Sequence, residues 1–356
     1  MERVVKKALI TGITGQDAAY LSKHLLEKGY EVYGAARRSA SEGLDKLEYL
    51  GIKNDVHLED IELLEESNII RLIQRVMPDE LYNLAAQSFV AASFHQPLYT
   101  SEADGLGVLR VLEALRLIKP DTKFYQASSS EMFGKVQEVP QNEKTYFYPR
   151  SPYGVSKLYA HWMTVNYRES YDMFCCSGIL FNHESPLRGP EFVTRKITLG
   201  LNKIKQGQQD HIALGNLDSK RDWGFAGDYV EGMYLMLQQP KADDYVLASG
   251  EMHSVRDFVN CACKALDINI EWEGTGQDEV GIDTSSGKKI VQINRNYFRP
   301  AEVQQLKGDS SKARKILGWK PKVSFEQLVE MMVETDKHSL DHNPRTLNLN
   351  DQLSLG

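Results

Sequence analysis

The stretch ALITGITGQDAAYL, Ala8–Leu21, decides the fold. An apolar run that reads as a buried strand gives way to Gly12 and Gly15 where a helix is due to begin. Glycine has no Cβ, so the chain can turn sharply there and a ligand can approach the backbone. Between a first strand and a first helix that freedom exposes N–H groups, which together with the helix dipole form an anion site. Gly12-x-x-Gly15-x-x-Ala18 is a looser spacing of the dinucleotide fingerprint, with Ala18 where the fingerprint needs close helix packing. An ordinary strand-to-helix turn is the competing reading.

Outward from this turn, apolar runs alternate with helical periodicity. KKALITG, YEVYGAARR, ELYNLAAQS, TKFYQASSS and CCSGILFNH read as strands. DAAYLSKHLLEKG, ESNIIRLIQRVMPD, ADGLGVLRVLEALRLI and SPYGVSKLYAHWMTVNYRESY read as helices, the first closed by Gly29 and the second stopped near Pro78. Short apolar strands separated by helices imply a parallel sheet covered on both faces. The expected fold is therefore α/β: a Rossmann-type doubly wound parallel sheet, residues 1–184, with a smaller C-terminal domain over 185–338 whose segments return in part to the first. Residues 339–356 have little periodicity and read as a poorly ordered tail or packing arm. There is no internal repeat.

The 356 residues carry a net charge of -7, which argues against nucleic acid as a partner because that binding rests on clustered Lys and Arg. No segment approaches the apolar length of a membrane span, and the start has no cleavable apolar region, so a cytoplasmic location is expected. Cys175 and Cys176 are adjacent, and Cys261 and Cys263 are spaced CxC. With no His cluster beside them they read as reduced core thiols, and no metal site is expected.

Arg37 and Arg38 end the second strand, near where an acid would hold the ribose 2′-hydroxyl in an NAD site. Two guanidiniums suit a phosphate instead, which favours NADP over NAD. A solvated basic loop is the alternative. SPYGVSK sets Tyr153 and Lys157 four apart, on one face of a helix. A nearby ammonium favours the phenolate, so the pair can take a proton from a sugar hydroxyl as hydride leaves its carbon. The spacing alone is weak, since Tyr49 and Lys53 share it. What singles out Tyr153 is its helix, which follows the polar cluster after KFYQASSSEMFG, where an open parallel sheet binds ligands. Ser129 can bond the same substrate oxygen. Glu131 is either a helix N-terminal carboxylate or the base for a second proton transfer, from the carbon beside a new ketone.

ALITGITGQD, NLAAQSFV, YQASSSEMFG, SPYGVSK, FNHESPLRG, FVTRKIT, RDWGFAGDYV and YFRPAEV together resemble the GDP-mannose 4,6-dehydratase family of extended short-chain dehydrogenase/reductases, from about Lys7 to Asp336. The resemblance implies active-site roles for Ser129, Glu131, Tyr153 and Lys157. It implies NADP contacts at Gly12, Ile13, Thr14, Gly15, Gln16, Asp17, Arg37, Arg38, Asp60, Ile61, Leu84, Ala85, Ala86, Gln87, Ser88, Tyr99, Lys157, His183 and Arg188. Around a GDP-sugar it implies Ser88, Asn182, Val193, Lys196, Arg221, Arg299 and Glu302, besides Ser129, Glu131 and Tyr153. The smaller domain would then bind the GDP-sugar, and the chain would assemble as a homodimer or homotetramer, with the Arg37 to Gly43 loop near a subunit contact in tetramers.

Three positions depart from the family's pattern. Ser129 stands for Thr, Ala18 for Gly, and Phe89 for the His of QSHV, which alters a polar wall near the expected sugar pocket. The activity implied is conversion of GDP-D-mannose to GDP-4-keto-6-deoxy-D-mannose, a step of deoxysugar biosynthesis, with hydride passing from carbon 4 to carbon 6 by way of bound NADP. A GDP-D-glycero-D-manno-heptose is the alternative substrate. A nucleotide-sugar epimerase or reductase would have no comparable use for Glu131, and a noncatalytic NADP sensor no reason to keep all four active-site residues.

Overall fold

Seven short strands hydrogen-bond in parallel to form the central sheet. They are β1 (Lys7–Thr11), β2 (Glu31–Ala36), β3 (Val56–Asp60), β4 (Glu80–Asn83), β5 (Lys123–Ser129), β6 (Cys175–Leu180) and β7 (Tyr245–Leu247), in the order β7-β6-β5-β4-β1-β2-β3. The computed structural model describes residues 5–39, 43–297, 301, 303 and 305–342. Strand order reverses between β1 and β4, which opens the crevice where doubly wound sheets bind ligands.

Helices cover both faces. α1 (Gln16–Glu27) packs against α5 (Ala226–Leu237) on one side. On the other lie α2 (Glu66–Val76), α3 (Gly107–Ile118) and α4 (Pro152–Tyr171). Their apolar stripes meet the sheet in one core that includes Leu9, Ile73, Leu81, Leu112, Phe124 and Ala160, none more than 1% exposed. Each of the Leu, Ile and Phe side chains among them contributes about 1.5–3 kcal/mol by leaving water.

The doubly wound sheet expected from the alternation is present. Two of its strands carry no clear sequence signal. In β3 only Val56 is buried while His57 and Leu58 face solvent, as an edge strand allows, so the stretch lacks an apolar run. β7 comes from far along the chain and is short. The helix expected over 103–118 is also interrupted: Glu102–Leu106 forms a π-helical turn before α3 begins at Gly107.

The chain divides into one compact unit of residues 1–183, 221–252 and 301–322 and a second of 184–220, 253–300 and 323–356. The first holds the sheet and its helices. The second has its own four-stranded sheet, in the order Ile270–Glu273, Val280–Asp283, Lys288–Ile293, Ile212–Leu214. Its helix Val193–Lys205 packs on Val255–Ala265 and Phe325–His342. The last of these runs through Ser339 to His342, and residues 343–356 of the expected tail lie outside the described residues.

Candidate active site

The turn after β1 has the backbone its glycines predict. Gly12 has φ +77°, and a Cβ there would sit 2.9 Å from the Ala85 backbone. Both the left-handed conformation and the close approach require glycine. Gly12 and Ile13 donate to the Ala35 carbonyl at 2.8 and 3.2 Å, which ties the turn to β2. Gly15 begins α1 with no side-chain cap, and its own Cβ would lie 3.2 Å from the Gly12 carbonyl oxygen. A backbone cradle at an uncapped helix start fits the diphosphate of a dinucleotide.

Sheet register places three polar side chains side by side at the carboxyl ends of the central strands. Thr11 pairs with Asn83, and Asn83 with Gln126. The Thr11 hydroxyl donates to Asn83 Oδ1 at 2.7 Å, and Asn83 Nδ2 donates to Gln126 Oε1 at 2.8 Å. Thr11 Oγ1 also accepts the Leu84 and Ala85 N–H groups at 3.1 Å each. This buried row holds the 84–88 loop against the glycine turn. Its members look like strand residues in sequence, and only the register shows that they meet.

Arg37 and Arg38 are exposed at the end of β2, with the Arg37 guanidinium 5.7 Å from the Tyr99 ring centroid. Asp60 is exposed at the end of β3, and buried Ile61 donates its N–H to the Ala36 carbonyl at 3.0 Å. Ala86 and Gln87 are partly buried and Ser88 is exposed. The loop residues Ala40, Ser41 and Glu42 lie outside the described residues.

Ser129, Glu131, Tyr153 and Lys157 come from three elements that touch: β5, the 3-10 turn that follows it, and α4. Ser129 ends β5 and caps the 3-10 turn Ser130–Met132, its hydroxyl accepting the Glu131 N–H at 3.2 Å. Ser151 caps α4 by accepting the Gly154 N–H at 3.0 Å, and Pro152 follows as the first helical residue. A Cβ on Gly154 would lie 2.8 Å from the Glu131 carbonyl oxygen, so glycine lets the helix start close on the turn. Ser129, Glu131, Tyr153 and Lys157 are all buried. Lys157 Nζ donates to the Ala127 carbonyl at 2.9 Å and lies 5.8 Å from the Tyr153 ring centroid. Burial pushes its ammonium below the ordinary value, and the Asp104 and Asp17 charges oppose that. Tyr49 and Lys53, with the same spacing, sit at the end of a short helix and in a 3-10 turn, where Lys53 pairs with Glu48 at 2.7 Å.

His183 and Asp17 are bonded to each other, and Gln16 Nε2 donates to the His183 carbonyl at 2.9 Å. Asn182 Oδ1 and Asp104 Oδ2 are buried with no hydrogen-bond partner among the described residues. Buried Arg221 precedes Asp222, whose carboxylate accepts N–H groups from Ser249, Gly250 and Gly308. That anchor gives RDWG a structural reason its sequence does not display.

In the second unit Val193 is the exposed first residue of its helix, and Lys196 Nζ lies 3.7 Å from the Tyr297 ring centroid. Arg188 pairs with Glu184 at 3.0 Å and covers the Phe192 ring at 3.5 Å. Arg299 and Glu302 lie outside the described residues.

Cys175, Cys176 and Cys263 are buried free thiols, pushed up to about 12 by burial, and half-buried Cys261 is pushed to about 11. Among the described residues no helix is long and apolar enough to cross a membrane, and no three His, Cys, Asp or Glu side chains could hold a metal.

The family model for GDP-mannose 4,6 dehydratase matches residues 9–332. The GDP-mannose 4,6 dehydratase of Drosophila melanogaster is 51% identical over 349 residues, spanning 95% of this chain and 88% of that protein. That of Homo sapiens is 50% identical over 345 residues, spanning 95% and 93%. The fold superimposes on the dTDP-glucose 4,6-dehydratase of Streptomyces venezuelae, solved with NAD and TYD bound, with a TM-score of 0.79 at 18% identity over 94% of this chain and 98% of that one. At that identity the likeness speaks for the fold. The two relatives at half identity or more, matched nearly end to end, carry the further step: the chain belongs to the GDP-mannose 4,6-dehydratase family.

Proposed function

We propose that the chain converts GDP-D-mannose to GDP-4-keto-6-deoxy-D-mannose with tightly held NADP. The observation that carries this reading is the buried meeting of Ser129 and Glu131, at the end of β5, with the helix start that bears Tyr153 and Lys157. An alcohol oxidation needs one base. Two bases on neighbouring elements suit an oxidation followed by an elimination.

The NADP site comprises Gly12 through Asp17, Arg37, Arg38, Asp60, Ile61, Leu84 through Ser88, Tyr99, Lys157, His183 and Arg188. Its cradle is supported by the φ of Gly12 and the absent Cβ atoms of Gly12 and Gly15. The Arg37 guanidinium beside Tyr99, with exposed Arg38 next to it in the chain, suits the 2′-phosphate, which supports NADP over NAD. Bound there, NADP would supply the hydride acceptor for carbon 4 and the hydride donor for carbon 6.

Tyr153 accepts the proton of the 4-hydroxyl as that carbon is oxidised, with the Lys157 ammonium favouring the phenolate. Ser129 holds the same oxygen. The 4-ketone acidifies carbon 5, and Glu131 removes that proton. The carboxyl then hands the proton to the 6-hydroxyl, which leaves as water. Carbon 5 takes the proton that Tyr153 accepted as carbon 6 is reduced, so the steps balance and no external reductant is consumed. Asn182, Val193, Lys196 and Arg221, with Arg299 and Glu302, hold the GDP-sugar. The proposed assembly is a homodimer or homotetramer, checked by light scattering, and the proposed location is the cytoplasm.

Glu131→Gln tests the division of labour. It keeps size and hydrogen bonding but cannot act as a base, so a 4-keto sugar that retains its 6-hydroxyl should accumulate in single turnover. Tyr153→Phe should yield no keto sugar. A Glu131→Gln protein that dehydrates GDP-mannose at the wild-type rate would overturn the assignment.

A further inference from the structure

The helical path that begins at Pro97 and ends at Ile118 is not regular, since residues 102–106 adopt π-helical turns. A π turn inserts extra chain into a helix and re-aims the side chains it carries. Here it separates two acids. Glu102 points outward to Arg110, 2.7 Å away, whereas Asp104 points inward and is 0% exposed. Gly105 follows, and a Cβ there would lie 3.4 Å from Tyr159 Cδ1 and 3.7 Å from the Ser156 carbonyl oxygen. The π turn therefore lies against the part of α4 that bears Lys157.

Asp104 Oδ1 accepts the Gln87 N–H at 2.7 Å, and Oδ2 is buried with no hydrogen-bond partner among the described residues. A buried carboxylate satisfied on one oxygen only needs a cation nearby. The buried cation on the helix against which the π turn packs is Lys157, whose charge acts on Asp104. It has three donors, of which one is engaged by the Ala127 carbonyl. We propose that Asp104 is a positioning residue: it supplies the buried counter-charge for the Lys157 ammonium and, through the Gln87 N–H, ties that charge to the 84–88 loop.

The charges facing Lys157 are Asp104 from the π turn and Asp17 from α1, with Tyr153 one turn earlier on α4. Asp17 is committed to His183, and Glu102 to Arg110. Asp104 is the π-turn acid whose charge acts on the lysine. Burial raises its carboxyl to about 6, and Lys157 and the Gln87 N–H pull the other way. It is ionised at neutral pH, and in that state it opposes the effect of burial on Lys157.

The catalytic consequence rests on the proton transfer assigned above to Tyr153. Asp104→Asn keeps the shape and the acceptor for Gln87 N–H but deletes the charge. The alkaline limb of kcat/KM for GDP-mannose should then fall about one pH unit lower, giving roughly tenfold less activity on the alkaline side, with KM changed little. A purely structural Asp104 would leave the profile superimposable on the wild type, and that result would overturn the proposal. The wild-type profile is the separate check on the reaction: a wild type inert toward GDP-mannose contradicts the activity, and the charge pairing is then decided by titration.

That titration needs no turnover and no folded Asp104 variant. In the cofactor-loaded protein, ¹³C-carboxyl NMR follows Asp104 directly. Lys157→Met should move its midpoint up, because the lysine holds it down. A midpoint unmoved by Lys157→Met would show that the two groups are not paired.

Discussion

His183 Nε2 lies 2.9 Å from Asp17 Oδ2, while His183 Nδ1 faces the Phe181 carbonyl at 2.7 Å. A carbonyl oxygen only accepts, so Nδ1 carries the ring hydrogen and the contact with Asp17 depends on a shared proton. The ring also stacks on Tyr229, with centroids 4.7 Å apart. This contact joins the acid in the first turn of α1 to the chain beyond β6.

Asp17→Ala should therefore act on both ends of the contact. Loss of a mostly buried bonded pair costs about 1–3 kcal/mol, read as a lower urea midpoint. NADP should also dissociate faster, because the His183 ring loses its tie to α1. An unchanged midpoint would show that the contact adds nothing to the fold.

Selectivity for NADP should reside in Arg37 and Arg38. Replacing both with Ala removes charge-assisted bonds to a phosphate, so the Kd for NADP should rise about 30-fold or more while that for NAD changes little. Titration of each cofactor against the variant checks this. Equal NADP affinity in the variant and the wild type would remove the arginines from the site.

Gly12→Ala and Gly154→Ala should fail for different reasons. At Gly12 the φ of +77° costs an L-residue about 1–2 kcal/mol, and the new methyl also meets the Ala85 backbone. Its signature is weakened cofactor retention. At Gly154 the methyl meets the Glu131 carbonyl, which should lower turnover with NADP still bound. Separating the two effects requires only cofactor content and kcat.

In the second unit, Asp336 is buried between Arg195 at 2.6 Å and the Thr198 hydroxyl at 2.6 Å, and burial raises it to about 6. A carboxyl raised on folding favours the native state most below its ordinary value near 4, and that advantage is lost as pH rises through about 6. Asp336→Asn has no such loss. Between pH 4 and 7 the stability difference should move toward the variant by about 2–3 kcal/mol, measured by urea unfolding at both pH values. A difference independent of pH would contradict the burial account.

Local signals were legible where chemistry constrains short stretches. Gly12 and Gly15, the strand they follow, and the Tyr153–Lys157 spacing could all be read directly. What escaped the sequence depends on distant partners. β3 has one buried side chain, so no apolar run marks it. The Thr11–Asn83–Gln126 row exists only once three strands are in register. Asp104 is one acid within a helical pattern, and the π turn that buries it leaves no mark in periodicity. Asp222 likewise gains its meaning from Ser249, Gly250 and Gly308.

Return of the hydride to the molecule it came from can be followed by isotope transfer. GDP-mannose bearing deuterium at carbon 4 is converted by the wild type in the presence of unlabelled GDP-mannose, and the product is read by mass spectrometry and NMR. Deuterium is expected at carbon 6 of the same molecule, without washout and without crossover to the unlabelled pool. Deuterium released to solvent, or found in product from the unlabelled substrate, would contradict it.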